Sequence, residues 1–182
     1  MLFRSRDFAF EPEGEAPVTL LDFKAGIEDV SRGVITSLDW VIVVIDPSYA
    51  GVRAAATLKR LLEQMHSGFL PATRHLTSPD VVELTQRTYR EARTRGALYV
   101  LNKIPDPDTE QFLWQRLLEA EIHVAATIPD DPALRQAWLE GIPLHSVTAE
   151  AEAAKMARAL EEKSVVVQNR RRGGADVPTK TP

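Results

Sequence analysis

Cysteine is absent from this sequence of 182 residues, which excludes disulfide frameworks, thiolate metal sites, iron–sulfur clusters and cysteine nucleophiles. The four histidines show no metal-ligand spacing, since they stand apart at His66, His75, His123 and His145. No serine lies in the Gly-x-Ser-x-Gly turn that presents a hydrolase nucleophile. No glycine is followed by lysine, so the sequence contains no Walker A loop, the Gly-x-x-x-x-Gly-Lys-Ser/Thr motif that binds nucleotide phosphates.

Long apolar runs and a strong charge of one sign are lacking as well. The run Trp40–Ile45 is too short to cross a bilayer, and acids and prolines interrupt the N-terminal segment where a signal peptide would have its apolar core. We therefore expect a cytoplasmic protein without a transmembrane segment. The 22 basic and 26 acidic residues give a net charge of −4, and this mildly acidic balance argues against a broad nucleic-acid surface.

Length and composition predict one globular domain, because 44% of the residues are hydrophobic and 26% are charged. Residues 1–16 show neither the helical nor the strand period, which predicts an irregular lead-in. Residues 17–163 carry the periodic segments and are predicted to form the domain. Residues 164–182 are rich in arginine, glycine and proline, which predicts a flexible basic tail.

Four short apolar runs predict strands, at residues 18–21, 40–45, 97–101 and 122–126. None alternates apolar with polar residues, which is typical of parallel strands covered on both faces. Helices are predicted over residues 52–65, 78–95, from a capping Asp108, from Asp131 to Gly141 and from a capping Thr148. The alternation predicts an α/β fold, a three-layer sandwich with a mostly parallel four-stranded sheet.

In such a sheet, ligands bind outside the carboxyl ends of the strands, so the residues that follow each strand are the candidates for a site. Asp22 ends the first predicted strand, and a carboxylate there can hold Mg²⁺ through water. Gly26 lets a backbone N–H approach a phosphate closely. The alternative is that Asp22 only caps a helix that begins near Ile27.

Asn102 and Lys103 follow the third predicted strand. The amide of Asn102 presents a donor beside an acceptor and can bind the N6/N7 edge of adenine, while Lys103 can lay its alkyl stem along the base. The alternative is that Asn102 only forms a turn. Pro129 and Asp130 follow the fourth predicted strand. The proline can fix the loop and offer a carbonyl to a base. The alternative is that this segment only leads into the next helix.

Four stretches in order, LLDFKAGIEDVSRG, VIVVIDPS, VLNK and TIPDD, resemble the deviant P-loop ATPases, the family that includes nitrogenase iron protein and the MinD and ParA proteins. The resemblance is closest to the accessory ATPases that insert nickel during carbon monoxide dehydrogenase maturation. It covers about residues 17–160 and departs from that subgroup at Asp29, where the subgroup has histidine. It implies the C-terminal half of a P-loop NTPase-type fold, incomplete because the Walker A loop and the strand beside residues 40–45 are missing.

The resemblance also implies roles for individual residues and ligands. The matched positions are the aspartate that holds Mg²⁺ through water, the switch glycine, the adenine-binding pair and the loop over the base, which are Asp22, Gly26, Asn102 with Lys103, and Pro129 with Asp130. Asp46 matches a position that the family uses for packing and at the dimer face rather than in the reaction. ATP and Mg²⁺ are the implied cofactors, and a metalloenzyme is the implied client. The Cys-x-Cys pair of nickel-handling members has no counterpart here.

Three functions stay open on the sequence. The first is an ATP-binding, ATPase-like module, a homo- or heterodimer that is not catalytic alone and needs a separate Walker-A-bearing polypeptide for hydrolysis. The second is a non-catalytic interaction or regulatory module derived from the same fold. The third is a phospho-acceptor receiver domain that uses Asp22, Asp46 and Lys103, against which the short spacing between the two aspartates counts.

Overall fold

The computed structural model describes residues 19–23, 34–68 and 78–173, with side chains described as far as residue 163. Its strands are β1 (Trp40–Ile45), β2 (Gly96–Ile104) and β3 (Val124–Pro129). Its helices are α1 (Tyr49–His66), α2 (Pro79–Arg90), α3 (Pro107–Glu119), α4 (Pro132–Glu140) and α5 (Val147–Gly173), and a 3-10 turn at Val34–Ser37 precedes β1. Strands thus alternate with helices, and the predicted α/β class is confirmed.

The sheet of the described residues has the order β1-β2-β3, and both strand pairs are parallel. Trp40 lies opposite Gly96 and Ile45 lies opposite Leu101, so β1 and β2 are paired without a break. The carboxyl ends of neighbouring parallel strands lie at the same edge of a sheet. The residues at the carboxyl ends of β1, β2 and β3 are therefore brought to one edge. Asn102 and Lys103, expected to follow a strand that ends at residue 101, lie inside β2, and Pro129 is the last residue of β3.

The prediction of a fourth strand at residues 18–21 is wrong over 19–21, where the structure has neither helix nor strand. Leu20 in this segment is 81% exposed. A β-strand is stable only when its backbone N–H and C=O groups are paired across a ladder, and an apolar run alone does not supply the partner. In the described part of the chain no strand pairs with the outer edge of β1, so the sheet has three strands instead of four.

Helices cover both faces of the sheet. On one face, a core cluster joins strand residues to helices α1 and α3, and its members are Ile45, Ala55, Tyr99, Leu101, Ile104, Leu113, Leu117 and Ile122. Leu101 and Leu117 are fully buried, and full burial of such a side chain stabilises the fold by about 1.5–3 kcal/mol. Leu98 and Val100 point to the opposite face because side chains alternate along a strand.

Helix α5 covers that opposite face. It packs against β3. Further along the helix, Lys163 Nζ lies 5.8 Å from the ring centroid of Trp40, at the start of β1. The helix thus passes over the sheet from one outer strand to the other. No helix in the described part of the chain is both long enough and apolar enough to cross a membrane.

Several predicted boundaries differ from the structure. Asp106, rather than Asp108, caps α3, since its Oδ1 accepts a hydrogen bond from the Thr109 N–H at 2.7 Å. Pro107 then occupies the first turn, where a missing N–H costs nothing. The predicted cap Thr148 lies inside α5, and the preceding Ser146 accepts from the Ala149 N–H at 3.3 Å.

Three other ends also differ. Helix α2 stops at Arg90, and its C-cap Glu91 donates its backbone N–H to Arg87. Strand β3 lies about three residues further along the chain than predicted, because Ile122 belongs to the end of α3 through its N–H bond to the Leu117 carbonyl at 2.9 Å. Helix α5 continues to Gly173, ten residues into the segment predicted as a tail.

Candidate functional site

The end of β1 is held by a short, closely packed turn. The Ser48 N–H donates to the Asp46 carbonyl at 2.7 Å, and Ser48 Oγ accepts from the Gly51 N–H at 3.0 Å as the N-cap of α1. A Cβ atom on Gly51 would lie 2.8 Å from the Asp46 carbonyl oxygen, which is too close for any side chain. Glycine is required here, and the turn fixes the backbone of Asp46 at the edge of the sheet.

The end of β2 contains a backbone irregularity at the predicted base-binding pair. Lys103 has a φ of 56°, in the left-handed region that non-glycine residues seldom adopt, and its side chain is exposed. The pairing of β2 with β3 shifts register between Leu101 and Ile104, around this residue. Unusual backbone at the carboxyl end of a strand re-aims side chains and is frequent beside functional sites.

The loop after β3 is tied to the same irregularity. Ile104 lies opposite Pro129, and its carbonyl accepts a hydrogen bond from the Asp130 N–H at 2.8 Å. The Asp130 carboxylate forms an ion pair with Arg135 on α4. Pro129 and Asp130 are consequently held beside the end of β2 from both the strand and the following helix.

A side-chain hydrogen bond joins the ends of β1 and β2. Asn102 Nδ2 donates to Asp46 Oδ1 at 3.2 Å, in an exposed position. The structure therefore gathers five polar or loop-forming residues at one edge, namely Asp46, Asn102, Lys103, Pro129 and Asp130. They offer an amide, an exposed ammonium group and two carboxylates around a rigid loop, which suits a flat polar ligand such as a nucleobase.

Of the predicted phosphate and metal end of the site, the structure describes Asp22 alone. Asp22 is exposed in the irregular segment 19–23, and Gly26 lies outside the described residues. Over residues 19–23, 34–68 and 78–163, no group of three or more His, Asp or Glu side chains is placed to hold a metal ion. The role of Asp22 toward Mg²⁺ therefore stays a prediction.

Asp106 and Asp131 are the N-caps of α3 and α4, and hydrogen bonds lower the pKa of both carboxyl groups. The Ser146 hydroxyl, followed by the Ala133 N–H, holds the pKa of Asp131 below its usual range. The N–H and hydroxyl groups of Thr109 lower the pKa of Asp106 in the same way. Both carboxylates are thereby committed to starting the helices that follow β3 and β2, and they fix the loops at the edge of the site.

A groove of about 520 Å³ runs along the outer edge of β3, between α3 and α5. Pro129 lines one end of it, and Trp114 forms part of its wall with the indole N–H 3.4 Å from Thr127 Oγ1. Glu152 and Lys155 of α5 form an ion pair on the facing side. Asn102 and Lys103 do not line this groove, so Pro129 stands between two distinct surfaces.

The sequence interpretation missed two features here. The family resemblance places Asp46 nearer to packing and to the dimer face than to chemistry, whereas the structure directs its carboxylate to Asn102. The signal was present, because both residues directly follow the apolar cores of predicted parallel strands and would meet if those strands were neighbours. Trp114 gave no such signal, since it lies in the apolar pattern of α3 and only the tertiary structure leaves it 46% exposed.

Comparison with known proteins gives one distant likeness. The chain is 22% identical over 146 residues to an uncharacterised ATP-binding protein of Methanocaldococcus jannaschii. The match takes in 80% of this chain but 47% of the relative, so the chain spans about half the length of the curated protein that it resembles. No protein-family model matches the chain. No solved structure matches it either.

Proposed function

We propose that this chain binds adenine nucleotides at the edge formed by β1, β2 and β3 and is the base-binding half of an ATP-dependent module. The observation that carries the proposal is the convergence of Asn102, Lys103 and the Pro129–Asp130 loop at one edge of a parallel sheet. The carboxyl edge is where open α/β sheets bind their ligands. The distant relative bears the description of an ATP-binding protein, which supports the same ligand class.

The residues fit the base end of ATP better than its phosphate end. The amide of Asn102 can pair with the N6/N7 edge of adenine, Lys103 can lie along the ring, and Pro129 with Asp130 can close the loop over it. Without a Walker A loop the sequence has no backbone nest for the β- and γ-phosphates. We therefore propose that a second polypeptide, one that carries a Walker A loop, completes the phosphate site.

The outer edge of β1 is the place where such a partner would join the sheet. In the described part of the chain this edge has no paired strand, and Val44 is 60% exposed. Asp22, as a ligand of Mg²⁺ through water, and Gly26, as a donor to the γ-phosphate, would belong to the completed site. In that assembly Mg²⁺ supplies electrostatic stabilisation for phosphoryl transfer to water, and the change of shape is passed to a client, which we propose to be a metalloenzyme.

Nucleotide titration of the full chain tests the proposal. ATP and AMP should bind weakly, and Asn102→Ala should reduce the affinity about fivefold or more, since a bidentate amide–base pair contributes about 1–3 kcal/mol. Gln86→Ala removes a half-buried amide from α2, where its oxygen accepts a hydrogen bond from Arg90, and is the matched control, which should leave the affinity unchanged. Equal affinities for Asn102→Ala, Gln86→Ala and the unmodified chain would refute the assignment of the base site.

Hydrolysis should need the partner. The chain alone should not turn over MgATP, whereas a mixture with a Walker-A-bearing polypeptide should. Asp22→Ala should abolish that turnover, and Asp39→Ala at the opposite end of β1 should not. Turnover that is unchanged in Asp22→Ala would remove Asp22 from the proposed site while leaving the base-binding assignment intact.

A second candidate is a non-catalytic interaction module, and one surface patch favours it. Large apolar side chains are exposed on α4 and just beyond it, with Trp138 76%, Leu139 78% and Ile142 51% exposed. Contiguous exposed apolar groups are typical of protein–protein contacts. If dimerisation uses this patch, Trp138→Glu should shift the sedimentation coefficient of the chain toward that of the monomer. A chain that dimerises there and binds no nucleotide would favour this second function over the first.

A further inference from the structure

We propose that Asp46 is a positioning residue that makes the base site selective for adenine over guanine, by fixing which atom of the Asn102 amide faces the ligand. The inference rests on the proposed function, since it takes Asn102 as the residue that contacts the base. It adds a determinant of specificity directly after β1, at a position that the family resemblance places nearer to packing and to the dimer face than to chemistry.

The first step is the position of the Asp46 carboxylate. Ile45 is paired with Leu101, so Asp46, directly after β1, stands beside Asn102 near the end of β2. The turn at Ser48 and the close approach of Gly51 to the Asp46 carbonyl leave the backbone little freedom. The fold therefore holds the backbone of Asp46 beside Asn102, whose Nδ2 lies 3.2 Å from Asp46 Oδ1.

The second step is the chemistry of that contact. An ionised carboxylate only accepts hydrogen bonds, so the nitrogen of the Asn102 amide faces Asp46 and the oxygen cannot take its place. One N–H of Nδ2 is used in this bond. The other N–H and Oδ1 are left as one donor beside one acceptor, in a fixed order.

The third step is the match to the base. Adenine presents the N6 amino group as a donor beside N7 as an acceptor, which complements the remaining Oδ1 and N–H of Asn102. Guanine presents two acceptors, O6 and N7, so that its O6 would lie against Oδ1. Without Asp46 the amide can rotate and direct both N–H groups at guanine. The carboxylate thus favours adenine by excluding the alternative orientation of the amide.

The test uses the full ¹⁵N-labelled chain with AMP and GMP as probes, which differ only in the base. The unmodified chain should bind AMP about fivefold to tenfold more tightly than GMP, at the lower end of the discrimination expected for a bidentate pair at an exposed site. Asp46→Asn keeps the shape but can face Asn102 with either amide atom, so the two affinities should come within about twofold of each other. Asp46→Ala should do the same.

Asp80→Asn is the matched control, since it makes the same chemical change in the first turn of α2, at a residue not assigned to the site, and should keep the preference. A direct readout is the side-chain amide resonance pair of Asn102, which should move in Asp46→Asn without any nucleotide. Resonances that stay in place, or a preference for AMP that survives in both Asp46 variants while Asn102→Ala loses it, would overturn the role of Asp46 and leave the proposed function standing. Binding of AMP that is absent, or indifferent to Asn102→Ala, would refute the proposed function and this inference together.

Discussion

Replacement of Lys103 by glycine separates backbone strain from ligand binding at the candidate site. Lys103 has a φ of 56°. The left-handed conformation costs a residue with a side chain about 1–2 kcal/mol. Glycine avoids this cost but loses more conformational freedom on folding, which offsets about 0.5–1 kcal/mol of the gain. Lys103→Gly should therefore stabilise the fold by about 0.5–1 kcal/mol, measured as the free energy of unfolding in urea.

The same substitution should weaken the site. A lysine laid along a base at an exposed position contributes about 0.5–1 kcal/mol, so the affinity for AMP should fall about twofold to fivefold. A variant that is more stable yet binds more weakly would identify Lys103 as a residue that sacrifices stability for function.

Glu121→Gly is the matched control. Glu121 also has a φ of 56°, but it ends α3, where its N–H bonds to Leu118 and the next N–H bonds to Leu117 in the arrangement that favours glycine. Its exposed ion pair with Lys59 contributes little. This variant should gain stability by a similar amount and bind AMP unchanged. If Lys103→Gly destabilises the chain while Glu121→Gly stabilises it, the side chain of Lys103 holds the β2 irregularity in place and the strain argument is refuted.

Two further predictions concern the core and the caps. Leu117→Ala should destabilise the fold by about 2–5 kcal/mol because Leu117 is 0% exposed, whereas Leu118→Ala, at 59% exposure, should change the urea midpoint little; similar midpoints would contradict the core assignment. The pKa values of Asp106 and Asp131 are lowered in the folded state, so their stabilising contribution is present above the unfolded pKa and is lost as the pH falls through the folded pKa. The urea midpoint should therefore fall when the pH is lowered below about 4. Asp106→Ala and Asp131→Ala should each make the midpoint depend less on pH in this range, and an unchanged pH dependence would contradict the capping roles.

The fold could be predicted wherever local chemistry and packing agree. The run Trp40–Ile45 is a strand as predicted, because its β-branched residues suit a buried parallel ladder. The predicted cap Asp108 is wrong, because the cap is Asp106 two residues earlier. Asp106 and Asp108 flank Pro107, and the choice between them depends on which carboxylate reaches a free N–H, in this case that of Thr109.

The base end of the candidate site could be anticipated because Asn102, Lys103, Pro129 and Asp130 directly follow the apolar cores of predicted strands. Their meeting at one edge needs only that the strands be parallel neighbours. The left-handed backbone of Lys103 could not be anticipated, since lysine has no preference for that conformation and the register shift between β2 and β3 imposes it. The contact between Asp46 and Asn102 needed the strand order, which the sequence leaves open.

Strand β1 has the composition of a strand inside a sheet, yet it lies at the edge of the sheet that the described residues form. Val41, Val43 and Ile45 alternate with Ile42 and Val44 without a polar residue, which is the composition of an interior strand covered on both faces. Yet in residues 19–23, 34–68 and 78–173 only β2 pairs with β1, and Val44 stays 60% exposed. An apolar strand with an open edge is a template for further strand pairing. The strand composition therefore argues for an added strand at this edge independently of the missing Walker A loop.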